Sequence, residues 1–460
     1  MSGAVEDLLR AAVAAHRAGR WAEAEQGYAR VLVAEPGHAW AHYFASLIAD
    51  ERGEGALALD HLRRSAEATA PPAAALVALG NKEMARHGFE AALAAYVRAE
   101  VQRPRMVAAV TGRALALKRL GRLDEALAAS RRALELRRSW RPGVVQPPGE
   151  LDPADAQEMR RTNRVKLAHD AAQLKYLCGQ GRLGLDYLDI AAAYERLADE
   201  LPRHRGDTAI AELGEPALAA TSFAYNRLLH LPACAAAPGA VLSQGTDFAR
   251  ADAAFVEAHP QPVVIDDALH PHALAALQRF CREATIWFEV KDHGGHLGAY
   301  FEEGLGCELL VEITRALSRA LPRSLDGLSL AQLWAYKHMQ GGSGTDYHAD
   351  IGRVSANLWI TPDEDCLEPD GGGLEIWPVE MPPGWDFHKA NVDRDSIRTM
   401  LAGSTARPVH IPYRCNRLVL FDANLFHRTG QGRFAPGYGR QRINITFLFD
   451  AMHRESVSPS

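Results

Sequence analysis

Apolar positions follow two different periods along this chain. Through the first 140 residues they recur at helical spacing inside a longer repeat. Ala24, Ala58, Ala92 and Ala126 stand at intervals of 34, with Tyr28, Leu62, Tyr96 and Ser130 four positions after them and Gly19, Gly53, His87 and Gly121 five before. Pro36 and Pro104 close the first and third units. Small residues at helix crossings with a turn-former between them predict stacked helix pairs. Helical spacing returns from Pro153 to Leu201, with Leu167, Ala171, Leu174 and Leu177 on one face. His169 lies off that stripe and is expected to be structural or exposed. Beyond residue 260 the period shortens. Pro262–Asp267 reads as a short buried strand, 333–337, 355–360, 373–377 and 418–421 as further strands, and Pro271–Glu283 and Leu309–Leu321 as flanking helices. Between 379 and 407 the sequence predicts a long loop suited to a lid, a substrate contact or an ordinary surface insertion.

Short strands punctuated by Gly, Pro and Asp predict an antiparallel barrel or jelly roll. Its last strand, Arg440 to Phe449, alternates: Arg442, Asn444 and Thr446 share one face, and Ile443, Ile445 and Phe447 the other. Within this framework Tyr347-His348-Ala349-Asp350 carries candidate chemistry. In an extended strand, residues two apart face the same side, so His348 and Asp350 can aim at one point. His427, from a neighbouring strand, completes two imidazoles and one carboxylate, a set that holds non-heme Fe(II) on one face and leaves three positions open. His388, with no carboxylate two residues on, is expected to be solvent-exposed.

With His348-x-Asp350, the segment 357–364, Gly371-Gly372-Gly373-Leu374, His427 and Arg442-Ile443-Asn444-Ile445-Thr446, residues from Pro262 to Met452 resemble the 2-oxoglutarate and Fe(II)-dependent oxygenases, prolyl-hydroxylase-like branch. The resemblance implies a double-stranded β-helix, iron held by His348, Asp350 and His427, and Arg442 on the distal carboxylate of 2-oxoglutarate. A guanidinium suits that role because its planar fork matches a carboxylate. The resemblance also implies that Tyr336 helps hold 2-oxoglutarate, with a core tyrosine as the alternative. Asn357 is a candidate contact for cosubstrate or substrate, the alternative being a satisfied barrel asparagine. The chain departs from the family in having fifteen positions from His427 to Arg442, a longer spacing filled by Gly430, Gly432, Gly437 and Gly439. Arg440 shares the strand parity of Arg442 and rivals it; Arg442, directly before the apolar alternation, is preferred.

The N-terminal period resembles the tetratricopeptide repeat. It implies an α-solenoid of about four repeats whose concave face takes a peptide or protein, or else a spacer or dimerisation arm. The 460 residues then divide into repeats over 1–140, a linker and helical connecting region over 141–260 opening with Trp140–Gly149, an oxygenase domain over 261–453 and a tail over 454–460. The expected class is multidomain α + β, the α-solenoid being followed by a jelly roll with flanking helices. A net charge of -6 disfavours nucleic acid as a partner. No apolar run is long enough to cross a bilayer and no leader-like start is present, so a cytoplasmic protein without membrane partners is expected. Six scattered cysteines, none in a C-x-x-C pair, argue against a zinc knuckle or a redox dithiol.

The implied reaction uses Fe(II), 2-oxoglutarate and O₂ to hydroxylate a side chain of a recruited peptide or protein, releasing succinate and CO₂. The carboxylate at Asp350 favours hydroxylation over halogenation. The alternatives are the same chemistry on a small-molecule or carrier-bound substrate, and a non-catalytic repeat-based adaptor.

Overall fold

A computed structural model of the chain describes residues 2–139, 149–201, 207–235, 239–292, 294–339, 344–368, 370–430 and 432–452. The expected linker at 140–148 and tail at 454–460 lie outside the described residues. The chain forms two compact units, Met1–Leu120 and Gly121–Met452.

The first unit holds α1 (Ser2–Arg17), α2 (Trp21–Ala34), α3 (Ala39–Glu51), α4 (Gly55–Glu67), α5 (Ala73–Ala85), α6 (Phe89–Gln102) and α7 (Val107–Arg119). Helix pairing follows the 34-residue register. Ala24, Ala58 and Ala92 are wholly buried, because only a methyl lets the helices approach this closely. Gly19, Gly53 and His87 all adopt the left-handed conformation that ends a helix, with φ of 73°, 75° and 62°. Tyr96 fills a slot that Gly80 and Gly112 leave open, and its hydroxyl donates to Asn81 Oδ1 at 2.7 Å.

The second unit opens with α8 (Leu123–Arg138), the second helix of the fourth repeat. Arg137 and Arg138 reach Glu303 at 2.6 and 2.9 Å, and the Arg138 guanidinium lies 4.1 Å from the Phe288 ring centre. There follow α9 (Pro153–Glu158), β1 (Arg161–Thr162), α10 (Arg164–Gly179), α11 (Tyr187–Glu200), β2 (Ala211–Glu212), α12 (Glu215–Ala220) and α13 (Phe248–Glu257). Leu167, Ala171, Leu174 and Leu177 are all buried along α10, as their spacing predicts. His169 is buried too, hydrogen-bonded to Asp170 and Lys337.

The remaining strands are β3 (Val263–Ile265), β4 (Glu289–Val290), β5 (His296–Tyr300), β6 (Leu328–His338), β7 (Val354–Trp359), β8 (Leu374–Glu380), β9 (Val409–Ile411), β10 (Leu418–Asp422), β11 (Leu425–Thr429) and β12 (Arg442–Ala451). They pair antiparallel throughout, in a seven-stranded sheet of order β3-β10-β7-β12-β6-β5-β4 and a three-stranded sheet of order β11-β8-β9. Helices α14 (Pro271–Glu283) and α15 (Glu308–Ala320) lie where helical spacing puts them. The expected strand at 262–267 is shorter and sits at the sheet edge, leaving Val264 exposed. Trp359, Ile376, Ile411, Val419, Phe421 and Leu425 form a core cluster drawn from both sheets. Strand β12 alternates polar and apolar residues, yet its first eight positions are all buried. Arg442, Asn444 and Thr446 line the interior, while Ile443, Ile445 and Phe447 take the opposite face.

The segment 379–407 is not a long structureless loop. It contains α16 (Phe387–Asn391) and α17 (Arg394–Ala402), capped by Asp386 and Asp393. Ala390, Ile397 and Leu401 are buried against Ala349 and Phe426. Burying these apolar groups stabilises both short helices, whose length alone would not. Among the described residues no helix is long and apolar enough to cross a membrane.

Candidate metal centre

His348 and Asp350 lie before β7, and His348 meets β11 in an isolated bridge rather than in the regular strand that the spacing predicts. His348 N donates to the His427 carbonyl at 3.0 Å, and His427 N returns a bond to the His348 carbonyl at 2.8 Å. Asp350 N donates to Ala423 O at 2.9 Å. These bonds bring one donor atom from each of His348, Asp350 and His427 within 4.8 Å of one another.

Both imidazoles are held the same way. His348 Nδ1 is 2.8 Å from Asp346 O, and His427 Nδ1 is 2.9 Å from Leu425 O. A carbonyl oxygen only accepts, so each Nδ1 carries a proton, the tautomer that leaves Nε2 as the ligand atom. Burial, and secondarily the neighbouring His348, lower the His427 pKa to about 4 against the opposing pull of Asp350. The ring is thus neutral at physiological pH, as a ligand must be. Ser355 Oγ donates to Asp350 Oδ2 at 2.8 Å, orienting the carboxylate. Two nitrogen donors and one oxygen donor in this arrangement fit a divalent first-row transition metal.

Arg442 opposes His338 across the β6–β12 ladder and is buried. Its Nε donates to Gly372 O at 2.5 Å and its Nη1 to Asn444 Oδ1 at 2.9 Å, while Nη2 has no hydrogen-bond partner among the described residues. Burial lowers its pKa to about 10, so it remains a cation at neutral pH. Together with His338, Gly344, Thr429, Phe434 and Gln441 it lines a cavity of about 330 Å³. An unpaired guanidinium nitrogen beside such a cavity fits the carboxylate of a small ligand. Arg440 is instead exposed and pairs with Asp365 at 3.6 Å.

Tyr336 stands opposite Asn444 on β12, its ring 4.7 Å from that of His296. Burial, followed by the neighbouring Tyr300, holds its hydroxyl well above the usual tyrosine range, so it is protonated. Asn357 is buried and donates to Thr446 Oγ1 at 2.8 Å, leaving its Oδ1 without a partner among the described residues. His388 is exposed on α16, outside the cluster.

Sequence reasoning assigned no role of their own to Ser355, Gly372, Asn444 and His338, although Gly372 and Asn444 stand in the motifs. Asn444 and His338 were within reach by parity, each two residues from a position already singled out; the Gly372 carbonyl carries no side-chain signal. The glycines around it are steric. A Cβ at Gly373 would strike the Ile411 carbonyl, and one at Gly432 the backbone of Gly372.

No protein-family model matches the chain, and no curated protein matches it. Solved structures match parts of it. The MamA protein is 18% identical, with 44% of this chain and 92% of that chain covered, at a TM-score of 0.27. YrrB, described as a TPR protein with an unusual peptide-binding site, is 17% identical, with 42% and 92% covered, at 0.27. The non-heme alpha ketoglutarate dependent epimerase SnoN from nogalamycin biosynthesis is 14% identical, with 44% and 83% covered, at 0.33.

Proposed function

We propose that the chain is an Fe(II)- and 2-oxoglutarate-dependent dioxygenase that hydroxylates a side chain of a peptide or protein recruited by its N-terminal repeats. In this reading the two antiparallel sheets are a double-stranded β-helix spanning 261–453. The observation that carries it is the convergence of His348, Asp350 and His427 with both Nδ1 protons tied to carbonyls, in the same interior as an incompletely bonded Arg442. His348 and His427 hold the metal through Nε2, and Asp350 through the carboxylate that Ser355 orients. Arg442 pairs with the distal carboxylate of 2-oxoglutarate, kept at a fixed angle by Gly372 and Asn444. Tyr336 and Asn357 line the interior between them and offer a hydroxyl donor and an amide acceptor. The buried walls keep water out, which strengthens each of these contacts. Bound there, iron with 2-oxoglutarate and O₂ supplies C–H hydroxylation with release of succinate and CO₂.

Titration with Fe(II) or Co(II), read alongside succinate release from 2-oxoglutarate, tests this reading. Native protein is expected to bind one metal per chain and His348→Ala to bind at least 100-fold more weakly, with turnover abolished. Equal metal affinity in both proteins would overturn it.

A further inference from the structure

The segment that carries His348 and Asp350 belongs to neither sheet. Its bridge to His427 holds one side, and the 379–407 insertion holds the other. Ala349 N donates to Ala390 O at 3.1 Å, and Asn391 Nδ2 donates to Ala349 O at 3.0 Å. The first bond pins the peptide plane joining His348 to Ala349, and the second pins the plane joining Ala349 to Asp350. Only φ and ψ of Ala349 lie between those planes. The opposite edges of the same two planes are held by His427 N, which donates to His348 O, and by Ala423 O, which accepts from Asp350 N, so the strands and the last turn of α16 together fix the relative aim of the two side chains. A third tie runs through Arg394, whose Nε is 3.0 Å from Asp346 Oδ2, and Asp346 supplies the carbonyl that orients the His348 ring. The Ala349 methyl is wholly buried, in one apolar cluster with Ala390, Ile397, Leu401 and Phe426.

We propose that Asn391 is a positioning residue for the metal centre and that the insertion, with the bonds to His427 and Ala423, fixes the angle between His348 and Asp350. This rests on the metal reading above. The Asn391 amide bonds to the Ala349 and Phe387 carbonyls, so it acts on the site through backbone.

The test is Co(II) titration of the full chain by visible absorption, without turnover, alongside thermal unfolding of the metal-free protein. Asn391→Asp keeps the shape and loses the donor; Asn391→Ala loses both. Each is expected to weaken Co(II) binding about tenfold and to alter the ligand-field bands, in the range typical of residues that orient metal ligands. Arg394→Ala, acting through a different bond, is expected to weaken binding about threefold and serves as the reporter should the Asn391 variants fail to fold. His388→Ala, on the exposed side of α16, should bind as native. Native affinity and bands in the Asn391 variants, or in Arg394→Ala where those do not fold, would overturn the proposal, as would lowered unfolding temperatures with unchanged affinity. Native protein that takes up no Co(II) at all would instead remove the metal reading on which it stands.

Discussion

Strand β6 turns Tyr336 and His338 toward one polar interior and Lys337 toward another, and the two are built differently. On the helix side, Lys337 Nζ meets His169 Nε2 at 3.2 Å and lies 4.3 Å from the Trp287 ring centre. His169 Nδ1 meets Asp170 Oδ1 at 2.9 Å, and the other Asp170 oxygen is taken by Lys166. Every charged group there has a partner. On the sheet-interior side, Arg442 Nη2, His338 Nε2 and Asn357 Oδ1 have none among the described residues. Burying polar groups costs free energy in both places, and the helix side recovers it within the fold. Between these two places, it is unused hydrogen-bonding capacity rather than burial of charge that distinguishes the candidate site from the network beside it.

Breaking the helix-side network should cost stability without disturbing the proposed metal site. Lys337→Ala is expected to lower unfolding free energy by about 2–5 kcal/mol through the cavity it leaves, with Co(II) affinity within about threefold of native. Denaturant unfolding and metal titration on the same sample measure both. Burial lowers the Lys337 pKa to about 7, from 10.5 when unfolded. Unfolding between those values takes up a proton, so this lysine's contribution to stability rises with pH across the window and is lost as pH falls through 7. Lys337→Met should flatten that rise. The converse holds on the interior side. Arg442→Ala is expected to raise the 2-oxoglutarate requirement about 100-fold, as suits the loss of a buried charge-assisted contact, with metal affinity little changed. Succinate release against 2-oxoglutarate concentration reads it. Smallest is Arg440→Ala, expected to shift the same requirement less than about twofold, since its ion pair is exposed. A larger shift there would reassign the anchoring cation.

How much of this could be read from the sequence depends on whether the signal is local. The repeats announce themselves because each turn needs a left-handed residue and each crossing a methyl, so Gly19, Gly53 and His87 recur with Ala24, Ala58 and Ala92. His348 and Asp350 were legible through spacing, and the β12 face through its alternation. The insertion was not, because five- and nine-residue helices are too short to show a period; only the caps at Asp386 and Asp393 give them away. Strand β5 was also missed, since His296-Leu297-Gly298-Ala299-Tyr300 is buried on both faces and shows little polar alternation.

One long-range contact changes how the molecule should be divided. The fourth-repeat helix α8 is bonded to Glu303 through Arg137 and Arg138, 166 and 165 residues away. Burial alone would push the Glu303 carboxyl up, but Arg138 and Arg137 hold it below the usual glutamate range. A fragment begun after α8 would keep that anion while losing both cations and would expose Phe288. A chain that keeps this ion pair therefore has to include α8, which lies in the compact unit Gly121–Met452 together with Glu303.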